Sequence, residues 1–231
     1  MKPMSNWMIV RGELVEPRAA RSSFDGLRTS AFRCAAVIAV VVTSTSCGDV
    51  VRQGRAPVFL VINALSAARG SIPGTFGGTL SSDVITDVIQ PPCSVADPCH
   101  TTFNDLGRAV LSLAMKNVSV EPTTNNQVTI RRYRVDYTRT DGRNIQGLDV
   151  PYGFDGASTV TIAPGASATI GFDIVRNAAK QEAPLVQLIN GSNIIDAIAT
   201  VTFYGTDQVG NAVSVSGTIR VTFGNFADTT S

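Results

Sequence analysis

The sequence predicts an all-β chain, an antiparallel sandwich with at most one or two short helices, and three observations carry that expectation. Apolar and polar residues alternate through segment after segment. Turn residues punctuate those segments at short intervals. Downstream of residue 57 the chain shows no long helical period, no strand–helix–strand rhythm and no repeat of solenoid length.

The elements follow in order. "VFLVINAL" (58–65) is a compact apolar run after Pro57 and reads as a buried strand. "GTFGGTLSSDVI" is weaker, because its glycines suit an edge or a bulge. "RAVLSLAMKNVSV" (108–120) alternates, with Leu111, Leu113 and Met115 on one face. In "QVTIRRYRVDYTRT" (127–140) the parity changes: Val128 and Ile130 share one phase, Tyr133, Val135 and Tyr137 the other. An inserted β-bulge at Arg131 or Arg132 produces that shift. "DGRN" (141–144) and "YGFDGAS" (152–158) carry turn residues. Two alternating runs, Val160/Ile162 and Ala168/Ile170/Phe172/Ile174, then flank Pro164-Gly165, a turn dipeptide. Within "NAAKQEAPLVQLINGSN" (177–193) one short helix is expected over Pro184 to Ile189. The chain closes with a long hairpin: alternation from Ala197 to Tyr204, a turn at "GTDQVGN", and Val213, Val215, Ile219, Val221 and Phe223 on one face. Alternation over such lengths means one wet and one buried face.

The segment "TIAPGASATIGFDI" resembles the I.PG.S.T..F.I stretch of many bacterial immunoglobulin-like domains. That resemblance implies an immunoglobulin-like β-sandwich of seven or more strands. Its long first connection, about 66 to 106, would hold a cysteine loop. The inter-sheet disulfide with its tryptophan is missing, since the one tryptophan is Trp7.

The N-terminal quarter has a different character. Nine apolar or small residues, Cys34 to Val42, end in "TSTSCGDV" (43–50). The run is too short to span a bilayer, which takes about 20 residues. It fits a signal-peptide apolar region of roughly 7–15 residues, with Arg28 and Arg33 as its positive flank. A buried strand over Cys34 to Val42 is the alternative. Ser44-Thr45-Ser46-Cys47-Gly48 resembles a bacterial lipobox, with Ser44 where leucine is usual. The resemblance implies that Cys47 becomes the first mature residue and carries diacylglycerol on its sulfur. Upstream, "VRGELVEPRAARSSFDGLRTS" (10–30) resembles the translated form of a dispersed bacterial intergenic repeat. The expected organisation is therefore a leader with a non-globular extension over 1–46, a lipidated tether over 47–57 and a sandwich over 58–226.

Composition narrows the chemistry. Of 19 basic and 18 acidic residues, six and three precede residue 47, so the remainder is nearly neutral at −2. Nothing resembles a nucleic-acid stripe. Arg131, Arg132 and Arg134 are the one local basic cluster, and they suit the polar face of a strand. Cys93 and Cys99 lie in the Pro-rich loop "PPCSVADPCH". An exported protein meets an oxidising compartment, so a local disulfide is expected. Zinc with His100 is the alternative, although zinc takes four ligands and His100 is the sole histidine. No hydrolase, metalloprotease or P-loop motif is present. The reading is not an enzyme and uses no cofactor. Asp141, Asn144, Asp207 and Asn211 are oxygen donors in two turns, but calcium takes six to eight, and turn formation accounts for them.

Two functions stand. The first is a lipid-anchored cell-envelope sandwich with a structural or protein-interaction role. It would be held to membrane lipid through Cys47, on the outer rather than the inner membrane of a Gram-negative cell because Asp49 stands one place late for inner-membrane retention. The second is an extracellular small-molecule or glycan-binding module, secreted or periplasmic. Its ligand face would be built from Tyr133, Tyr137 and Phe154, with Tyr152 and Tyr204 nearby.

Overall fold

The computed structural model describes residues 54–228. Cys34, Cys47 and the leader expected over 1–46 lie outside the described residues. The strands are β1 (Val58–Ala68), β2 (Thr79–Asp83), β3 (Thr86–Val88), β4 (Cys99–Thr101), β5 (Asp105–Met115), β6 (Val128–Thr138), β7 (Phe154–Ile162), β8 (Ser167–Val175), β9 (Ile195–Asp207) and β10 (Ala212–Gly224). Two sheets form the sandwich, ordered β1-β5-β8 and β2-β10-β9-β6-β7, and β3 and β4 make a separate small hairpin. The order is that of an immunoglobulin-like domain, with β7 attached to β6 in the manner of a variable-type domain's extra strand.

Alternation sets the layers. β9 buries every second residue from Ile195 to Asp207 without a break, and β10 pairs along its length from Ala212 to Phe223. In β6 the register slips between Ile130 and Arg132 against both β7 and β9. The bulge therefore falls where the change of parity places it. Arg131 and Arg132 both face solvent, while Val128, Ile130, Tyr133, Val135 and Tyr137 all point inward.

Two elements differ from expectation. β2 pairs parallel to β10 rather than antiparallel. After β1 the chain doubles back to Gly77, whose N–H and C=O both bond Ala67 at 2.8–2.9 Å. It then sets off again in the direction of β10. The segment 177–193 has the short helix expected over Pro184 to Ile189 as a 3₁₀ turn and adds an unexpected α-turn before it. The α-turn is α1 (Asn177–Lys180), and the 3₁₀ turn is Leu185–Leu188. Leu185 and Leu188 are both buried, and i,i+3 spacing is what a 3₁₀ turn brings to one face.

Among the described residues no disulfide crosses between the sheets, and tyrosines link them. The Tyr137 hydroxyl donates to the carbonyl of Ile174 on β8, and burial pushes this phenol well above its ordinary pKa. The Tyr133 hydroxyl accepts the N–H of Asp173 at 3.1 Å. Tyr133 rests against Phe172 (5.3 Å between centroids), and Phe172 meets Phe203 edge-on at 5.3 Å. Gly156 makes room for this stack: a Cβ there would lie 2.2 Å from Cζ of Tyr133.

The strand ends define two poles. Val58, Met115 and Ser167 lie at one end of the first sheet. Val128, Ile162 and Asp207 lie at the matching end of the second. The turn Ala163–Ala166, closed by Ala166 N–H to Ala163 O at 3.0 Å with Gly165 at φ +76°, joins β7 to β8 across that pole. The sandwich domain begins here. The opposite pole carries the connections 69–78, 84–104, 139–153 and 176–194 and the segment after β10.

Candidate functional site

The long-loop pole is built on a buried ion pair. Lys180, at the end of α1, reaches Asp105 at the start of β5 with Nζ 2.9 Å from Oδ2, and both side chains are 1% exposed. Ser82 Oγ donates to the same oxygen at 2.6 Å, and the Gly70 N–H donates to Oδ1 at 2.9 Å. One carboxylate thus joins β2, β5, α1 and the loop after β1. A buried charge is tolerable only with such partners.

Above this plug the C-terminal segment and the cysteine hairpin are fastened together. Val84 N–H donates to Gly224 O at 3.0 Å, and Phe226 N–H donates to Asp83 Oδ1 at 3.2 Å. Asp87 N–H donates to Asp228 Oδ2 at 2.7 Å, and His100 Nδ1 meets Asp87 Oδ1 at 2.6 Å across the β3–β4 ladder. The Arg69 guanidinium lies 4.9 Å from the Phe226 ring. Asp83 is the anomaly. It is 3% exposed, and its Oδ2 has no hydrogen-bond partner. Burial, reinforced by the Asp228 charge, pushes its carboxyl up to about 6.

Cys93 and Cys99 are joined in a disulfide, with Cα atoms 5.6 Å apart. Their sulfurs are therefore not thiolate ligands, and among the described residues no group of three or more His, Cys, Asp or Glu side chains is placed to hold a metal ion. Asp141 accepts hydrogen bonds from both Arg139 and Arg143, which hold its carboxyl well below the ordinary range. Asp207 ties up its own turn, accepting from the Val209 and Asn211 N–H groups and from Asn211 Nδ2. Both carboxylates are consumed by their turns.

The expected ligand face is corrected. Tyr133 is 4% and Tyr137 2% exposed, so both belong to the core. Phe154 is half-buried beneath the Arg176 guanidinium, 3.9 Å from its ring. Tyr204 lies on the outer face of the five-stranded sheet with Arg132 stacked at 4.2 Å, and Tyr152 stands in the 139–153 loop. These aromatics do not converge on one surface. The outer sheet face is hydroxylated instead: Thr129 bonds Thr161, and Thr202 bonds Ser216.

The cleft between the loop after β1, the β3 strand and Asp228 measures about 240 Å³ and is lined by Arg69, Thr86, Asp87, Gln90 and Phe103 among others. Ligand pockets typically run from roughly 300 to 1,000 Å³, a range that a second cleft over β5 and β8, lined by Phe76, Arg108, Tyr133, Phe172 and Asp173 among others, does reach at about 540 Å³. His100 and Asp87 are two members of a nucleophilic triad's geometry, but among the described residues no hydroxyl or thiol bonds Nε2 of His100. What the pole does offer is apolar side chains on its loops. Ile72, Val95, Ile145, Leu148, Tyr152, Val186 and Ile194 are seven of the eleven exposed large hydrophobic residues among those described. Comparison with protein-family models finds no match, and comparison with curated proteins finds none.

Proposed function

We propose that this chain is a lipid-anchored protein of the bacterial cell envelope that presents its long-loop pole to a protein partner. The observation that carries the reading is polarity. The sandwich domain begins at one pole, while the disulfide hairpin, the long connections and most exposed apolar residues gather at the other. An anchor at Cys47 would leave that far pole turned outward. Buried fastening beneath the loops, through Asp105 and Lys180, gives the loop surface a fixed base, which lowers the ordering cost of a contact. Exposed apolar residues with a polar rim suit a partner protein.

The reading is tested with a photo-crosslinking amino acid placed at Leu148 or Val95, and at Thr218 on the outer sheet face as control, in the native envelope. Discrete crosslinked bands are expected from positions 148 and 95 and none from 218. Crosslinks from 218 alone would move the interaction to the sheet.

A further inference from the structure

The pole at which the domain begins carries a second surface. Lys116 donates its backbone N–H to Pro57 O at 2.9 Å and its Nζ to Gly54 O at 3.3 Å. These two bonds pin the start of the domain to the turn between β5 and β6. Val118, two residues on, is 92% exposed, and Val120 is 51% exposed. An Asn117 side-chain bond to the Ser119 N–H, 3.0 Å, shapes the turn that projects Val118. The β9–β10 turn ends at the same pole and shows Val209, 65% exposed, beside Gly210 at φ +90°. Among the described residues at this pole, Arg55 and Lys116 flank these tips and Glu121 is the exposed carboxylate.

We infer that this pole is a membrane-contact surface, with Val118, Val120 and Val209 entering the headgroup layer of an anionic bilayer. The inference rests on the anchored reading of Cys47. Six residues separate Cys47 from Gly54, and the seven steps, at about 3.3–3.6 Å each, span at most about 25 Å. The pinned pole therefore stays within that distance of the lipid that holds the cysteine. A weak contact is enough under those conditions, because a short tether raises the local concentration of one site near another to the millimolar range. Valine tips supply apolar area, and the flanking cations match anionic headgroups. With the near pole on the bilayer, the seven apolar side chains of the far pole lie at the opposite ends of the strands.

The test uses the full chain purified from membranes and reconstituted in vesicles of phosphatidylethanolamine and phosphatidylglycerol. Trp7, the sole tryptophan, is replaced by phenylalanine. Single reporters are then introduced as Val118→Trp, Val209→Trp and, on the far pole, Leu148→Trp. Brominated lipid is expected to quench the reporters at 118 and 209 about twofold or more, and the reporter at 148 not at all. Adding Val118→Asp to the Val209→Trp chain is expected to abolish the quenching at 209. Equal quenching at all three positions, or none at 118 and 209, overturns the contact. Intact mass of the same sample reports acylation of Cys47 separately. Acylated protein without quenching leaves the anchor standing and removes the contact. Unacylated protein removes the anchor, and quenching at 118 and 209 by added vesicles would then uphold the contact on its own.

Discussion

Lys180→Met lowers the unfolding free energy by about 3–5 kcal/mol, the loss expected when one member of a buried ion pair is removed. The methionine fills the volume of the lysine stem, so the effect is electrical rather than a cavity. Asp105 keeps its hydrogen bonds from Ser82 and Gly70, yet its charge is left without a counter-ion at 1% exposure. Adding Asp105→Asn to Lys180→Met is expected to recover at least half of the loss. An asparagine oxygen still accepts the Gly70 N–H, and no buried charge remains. Urea unfolding followed by circular dichroism measures all three chains. A loss below about 1 kcal/mol for Lys180→Met, the range of exposed pairs, would show that the pair is hydrated.

The second large effect is a dependence on pH centred on Asp83. Its carboxyl ordinarily titrates at 3.8 and is raised in the fold to about 6. The folded state therefore binds the proton more tightly than the unfolded state. The stability from this group is fully present below about pH 4, is lost as pH rises towards 6 and stays absent above that. Two pKa units correspond to about 3 kcal/mol at most. Asp228 faces Asp83 with like charge and Arg69 with opposite charge, and Asp173, also raised by burial, acts in the same sense. Asp196 and Asp141 are held low by arginines and act oppositely, losing their contribution as pH falls below the ordinary carboxylate range. Unfolding free energy should thus decline from about pH 4 to about pH 6 in the native chain, and Asp83→Asn should flatten most of that decline. An unchanged slope in the variant would assign the pH dependence to other groups.

How much of this was legible in the sequence depends on whether local pattern or distant contact decides each feature. The bulge at Arg131–Arg132 was legible because inserting one residue reverses side-chain parity, and parity is written in the order of residues. The same strand shows why a ligand face was misread. Val135 stands between Tyr133 and Tyr137 on one parity, and a valine flanked that way marks the core side. The tyrosines went inward with it. α1 is one turn long, too short for a helical period to register. The burial of Lys180 has no local signature at all, since it is made by β2, β5 and the loop after β1 closing around it. Parallel pairing of β2 was hidden for a similar reason: the doubling-back at Gly77 is a tertiary event. The local disulfide was legible from two cysteines in one Pro-rich loop, and its role in shaping the far pole was not.

The proposed anchor is Cys47, and the mass of the mature protein's N-terminal peptide tests it most directly. Protein extracted from bacterial membranes in detergent and digested without reduction should yield a peptide that begins at Cys47 and carries diacylglycerol in thioether linkage. Its partner peptide should contain Cys93 and Cys99 still bonded. An N-terminal peptide that begins elsewhere, or a Cys47 that alkylates as a free thiol, would contradict the anchor and with it the assignment of an outward-facing pole.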